Sequence, residues 1–144
     1  MSKRANILDK LKEIFDAQLD GINYTSNIYS NSATRMLFPD TLPDYPYLCM
    51  SAGRETRDYL PNSFKWGYLE VTLRLYIHDE DDTLSRLEPF LEDIESVLDA
   101  NNEIEYETGK YTRLTTINTI VTDEGLLMPM GIGEIQLTIQ YDLT

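Results

Sequence analysis

Residues 65–78 read Lys-Trp-Gly-Tyr-Leu-Glu-Val-Thr-Leu-Arg-Leu-Tyr-Ile-His, and their alternation decides the fold class. Gly67, Leu69, Val71, Leu73, Leu75 and Ile77 interleave with Trp66, Tyr68, Glu70, Thr72, Arg74 and Tyr76. A period of two sends the first set to one face of a strand and the second to the other. One aliphatic face means a sheet covered on one side only. The opposite face mixes aromatics with charges and is a candidate contact surface.

The flanking segments supply the cover. On the C-terminal side Leu84, Leu87, Phe90, Leu91, Ile94, Val97 and Leu98 fall at helical spacing, with capping oxygens at Asp81 to Thr83 and a stop at Asn101-Asn102. Pro89 lies within that stripe, so the regular helix begins near Glu88 or an earlier turn is kinked. At the N-terminus Ile7, Leu8, Leu11, Ile14, Phe15 and Leu19 form a second apolar stripe, ended by Asp20-Gly21, with Ile22 expected to fold back on it.

Further strands are expected at Tyr47–Ser51, Tyr111–Thr122 and Gly131–Leu143, with a weak edge strand at Tyr24–Tyr29. Pro39, Pro43, Pro46 and Pro61 exclude long regular elements around them, and Ala52–Asn62 reads as an exposed loop. A turn at Asp123-Glu124-Gly125 and an extended Leu126–Met130 join the last two strands. Adjacent strands without helical crossovers favour antiparallel pairing. The expected class is α+β: one domain over residues 1–144, with a single, mostly antiparallel sheet and two amphipathic helices packed on one face.

Composition narrows function. The chain has 144 residues, a formal net charge of −13, one Cys and one His. A lone Cys supports neither a disulfide framework nor a Cys-based zinc site. No apolar run approaches the roughly 20 residues that span a bilayer, so a soluble, intracellular domain without membrane attachment is expected. Generic nucleic-acid binding is disfavoured, because affinity for polyphosphate comes mainly from Lys and Arg.

The charge is concentrated. Asp79 to Asp99 holds nine acids against one base, Arg86. Glu88, Glu92, Glu95 and Asp99 recur at spacings that place them on one helical face, opposite the apolar stripe. The face reads as an ordinary solvated one, as a mating surface for a basic partner, or as a repulsive channel lining for DNA. The run His78-Asp79-Glu80-Asp81-Asp82 could hold a divalent metal, but it lacks the central Gly and distal Glu of an EF-hand loop.

No catalytic motif appears. Cys49 sits in an apolar strand far along the chain from His78, and Gly131-Ile132-Gly133 lacks the third glycine of a dinucleotide fingerprint. The segment Gly53–Lys65, expected as a loop, mixes Arg54, Arg57 and Lys65 with Tyr59 and Phe64. Arg beside aromatics is the composition of an interface hot spot.

The whole pattern resembles the tailed-bacteriophage tail terminators, the tail-completion family typified by minor tail protein U of lambda-like phages. The residues that carry the likeness are the amphipathic start Ile7 to Leu19, Leu42-Pro43-Asp44-Tyr45-Pro46-Tyr47-Leu48, the long strand running into an acidic bend (Leu69 to Asp82), the second helix, and the closing hairpin Thr119–Gly125 to Gly133–Tyr141. The resemblance implies a structural virion protein, without catalysis or cofactor. It implies a hexameric ring that caps the finished tail tube, stops its polymerisation and faces the head connector. Its partners would be itself, the tail tube protein and a head-completion or connector protein, with DNA only as passing cargo. It would be assembled in host cytoplasm and carried at the neck end of the tail.

A heterologous ring needs two different patches on each subunit. Arg54, Arg57, Tyr59, Phe64 and Lys65 form one candidate patch, and Glu88, Glu92, Glu95 and Asp99 the other. Two alternatives stand beside this reading: another neck or head-completion component, and a small ligand-binding or enzyme domain using a divalent metal at the acidic bend.

Overall fold

The computed structural model describes residues 2–143. The chain runs α1 (Lys3–Gln18), β1 (Ser32–Ala33), a 3-10 turn (Pro39–Thr41), β2 (Tyr47–Tyr59), β3 (Lys65–His78), α2 (Thr83–Ala100), β4 (Glu105–Glu107), β5 (Lys110–Thr122) and β6 (Met130–Asp142). The strands form one six-stranded sheet in the order β1-β2-β3-β6-β5-β4. Only β1 and β2 pair in parallel; every other pairing is antiparallel.

The alternation in β3 orders the whole molecule. Leu69, Val71 and Leu73 lie opposite Ile139, Leu137 and Ile135 of β6, and all six side chains are buried. Removing a Leu, Ile or Val side chain from water stabilises by roughly 1.5–3 kcal/mol, so this double row is the centre of the fold. Helix α1 covers it with Ile7, Leu11 and Phe15, and α2 with Leu87, Phe90, Leu91, Ile94, Val97 and Leu98.

Gly131 and Gly133 have a packing role, not a nucleotide-binding one. A Cβ on Gly133 would lie 2.9 Å from Leu91 Cδ2, and one on Gly131 would lie 2.9 Å from Ile77 Cγ1 and 3.1 Å from Thr83 Cβ. Their bareness lets the first turns of α2 rest on β6. Asp82 caps that helix, its carboxylate accepting from Ser85 N–H at 3.2 Å. Pro89 is contained within α2, which starts at Thr83 and not near Glu88.

Several expectations are corrected. No strand forms over Tyr24–Tyr29; the segment bends, closed by a bridge between Asp20 and Asn27, because Asp20 Oδ1 accepts from the N–H groups of both Ile22 and Asn23. Ile22 does not fold back on α1 but is 89% exposed, and Ile28 takes the core position instead. Leu126–Met130 is not extended: turns closed by Leu126 N–H to Asp123 O (3.0 Å) and Met130 N–H to Leu127 O (2.9 Å) fold it. The expected loop Ala52–Asn62 is mostly strand, since β2 continues to Tyr59 in register with β3.

Candidate assembly surfaces

The first candidate patch is the outer half of the β2–β3 hairpin. Arg54 pairs across the strands with Glu70, Thr56 with Tyr68, Arg57 with Gly67 and Tyr59 with Lys65. A turn then closes with Leu60 N–H donating to Phe64 O at 2.9 Å. Gly53, Arg54 and Thr56–Leu60 are exposed, which is why the strand lacks apolar alternation and reads as a loop. The structure therefore replaces the expected exposed loop with a paired ribbon.

What holds the ribbon was not legible in the sequence. Tyr141 of β6 extends across Gly67, where a Cβ would sit 2.8 Å from its ring, and its hydroxyl donates to Glu55 Oε1. Arg57 Nε donates to the other oxygen of Glu55 at 2.9 Å, and the Glu55 side chain is only 3% exposed. Burial, and then the hydrogen bond to Glu55, push the Tyr141 phenol above the ordinary tyrosine range. The hydrogen bond from Arg57 to Glu55 holds the guanidinium charge more firmly still.

Arg54, the other arginine, reaches Glu70 at 3.6 Å from an exposed position. Tyr59 and Phe64 are exposed, and the Lys65 ammonium sits 5.6 Å from the Tyr59 ring centre. The aromatic and cationic side chains thus gather at one end of the sheet.

The second patch lies elsewhere. Glu88, Glu92, Glu95 and Asp99 are all exposed on the side of α2 turned from the sheet, and among the described residues no Lys or Arg makes an ion pair with any of them. Among the described residues no ion pair joins the two patches.

Other acids of the 79–99 segment have local work. Asp79 Oδ1 accepts from the N–H groups of Asp81 (2.8 Å) and Asp82 (3.1 Å), which holds its carboxyl below the usual range. Asp93 Oδ2 binds the N–H and hydroxyl of Ser26 at 3.1 and 2.6 Å, tying the segment after α1 to α2. His78 lies against Tyr45, the rings tilted by 48° with 5.7 Å between centres. Among the described residues no three His, Cys, Asp or Glu side chains converge as a metal site. Cys49 is buried, and burial pushes its thiol up, away from the thiolate a nucleophile needs.

The face opposite the helices carries no covering layer over most of its area. Arg74 meets Glu134 at 3.3 Å, Thr72 Oγ1 donates to Gln136 Oε1 at 2.9 Å, and the Arg113 guanidinium lies 5.8 Å from the Trp66 ring centre. Cys49, paired across from Arg74, and Tyr76 are buried there, the Tyr76 hydroxyl donating to Leu37 O at 3.1 Å as residues 36–39 cross that corner.

Comparison with known proteins shows the family. Residues 1–144 match the family described as bacteriophage tail tube terminator protein. The chain belongs to that family. It is also 30% identical to the tail tube terminator protein p142 of Escherichia phage T5, over 98% of this chain and 94% of that one. A solved chain from the virion of a native gene transfer agent particle shares the fold at a TM-score of 0.60 and 10% identity, with 94% of each chain covered. This terminator is accordingly a structural protein of the phage tail.

Proposed function

We propose that this terminator closes into a hexameric ring on the end of the finished tail tube, ends the tube's growth and offers its other rim to a head-side connector. The observation that carries the reading is the family match along the whole chain. The ring acts without catalysis or cofactor, is assembled in the host cytoplasm and stays at the neck end of the virion tail, with DNA passing through it.

Two surface features support a ring. Heterologous contacts need two unlike patches on each subunit, far enough apart that one copy cannot satisfy both. The Arg-bearing hairpin and the acidic face of α2 are of opposite tendency and lie on different elements. In the proposed ring the hairpin reaches the neighbouring copy.

The test uses the purified chain with and without unfinished tails. Native mass and negative-stain images should give rings, and rings on one end of each tube. Reversing Arg54 and Arg57 to Glu together should reduce the assembled mass seen by light scattering. Unchanged oligomer mass in that variant would remove the hairpin from the interface, and failure to bind tube ends would remove the capping role.

A further inference from the structure

We infer that the ring is sealed by strand addition, with the open edge of β5 in one copy pairing antiparallel with the open edge of β2 in the next. This rests on the ring reading above. Each outer long strand of the sheet is covered for only part of its length. On one side β1 pairs with β2 only at Leu48 and Cys49, leaving Gly53–Tyr59 uncovered among the described residues. On the other side β4 pairs with β5 only at Lys110 and Tyr111. Thr112 N–H then bonds Ile104 O at 2.8 Å and Thr115 binds Asn102, after which Thr116–Thr122 has no covering segment among the described residues.

That second run is an unguarded edge. It reads Thr-Ile-Asn-Thr-Ile-Val-Thr, β-branched at all but one position, with no charge and no proline. Soluble proteins blunt open edges with lysine, proline or cover, because unpaired N–H and C=O groups template pairing with another chain. Here a single register shift between Ile117 and Thr119 is the only such device. Val121 is 58% and Ile120 43% exposed. A run of this composition calls for a partner strand.

The occupant is a second copy, and the topology fixes its direction. From β2 to β3, β3 to β6 and β6 to β5 every step is antiparallel, so β2 and β5 run in opposite senses. Rotating one copy about an axis along the strands therefore sets β5 beside the next β2 in the antiparallel sense. The stagger between the free runs also suits closure. Thr119, at the middle of one, lies level with Gln136, and Thr56, at the middle of the other, lies level with Tyr68 and so Gln140. That offset of about four residues is about 13 Å along the strands against about 19 Å for four strand spacings, a slope of about 35°, the tilt that closing a sheet into a barrel requires.

The experiment is hydrogen exchange on the full chain, free and assembled on unfinished tails, joined to cysteine pairing. Amides of Thr116–Thr122 and Gly53–Tyr59 that face outward should exchange at least about tenfold more slowly in the assembly. Thr119→Cys combined with Thr56→Cys, oxidised in the assembly, should give a ladder of covalent oligomers, while either single variant stays at monomer mass on a denaturing gel. Ile120→Lys, at a half-open position, should keep the fold by near-ultraviolet circular dichroism and lose assembled mass. Rings whose two edges exchange as in the free chain, or cross-linking of Thr119→Cys with itself, would overturn the edge pairing and leave the ring reading standing. No assembly in any condition would overturn both.

Discussion

Gly67 leaves its place on the sheet to the ring of Tyr141, and through that ring the projecting hairpin is fastened to the core. Gly67→Ala would force its Cβ against Tyr141 and Leu143, at 2.8 and 3.0 Å. Overpacking of this kind costs about 1–3 kcal/mol, so the urea midpoint should fall with an unchanged slope. The same tyrosine sets a pH limit. Its phenol is raised in the folded chain, so as pH climbs past about 10 the unfolded chain releases that proton first. Stability from this group is whole below that point and is lost as pH rises toward the folded value. Denaturation midpoints between pH 9 and 11 (about one unit either side of an ordinary tyrosine) should decline less steeply in Tyr141→Phe; parallel slopes would clear the phenol of the effect.

Among the elements, α2 depends most on its first turn. Asp82→Ala removes the cap on Ser85 N–H and should cost about 1 kcal/mol, read as a lower thermal midpoint with the fold retained. Legibility in the sequence also divides by element. Both helices, β3 and β6 could be read because each buries one stripe or face against a continuous core, which writes a period into the residues. The outer half of β2 could not, since Arg54, Thr56, Arg57 and Asp58 all stay exposed. β4, three residues long, is too short to show any period. The insertion of β6 between β3 and β5 is a long-range choice that no local pattern records. The exposed residues of both candidate patches were readable as such, whereas the burial of Glu55 depended on a tyrosine from another strand.

At the scale of the whole molecule, the layers are unequal: helices on one side of the sheet, a largely bare polar face on the other. The net charge of −13 is placed just as unevenly. Part of the acid in residues 79–99 is used locally to cap a helix, brace a bend and bind Ser26. What remains on the outside is Glu80 and Asp81 in the bend and one face of α2, the helix face lying on the opposite side of the sheet from Trp66 and Arg74. Any ring built from this subunit must therefore show the acidic helix face and the bare sheet face to different neighbours or different solvent spaces.

The bare face also holds the chain's one tryptophan, Trp66, half-buried beside Arg113. The protein thus carries its own optical reporter, and no label is needed to watch it assemble. Indole emission should move to shorter wavelength when a partner covers that face, and should stay fixed when assembly uses the strand edges alone. A fluorescence titration against tail tubes would then separate the two kinds of contact in one cuvette.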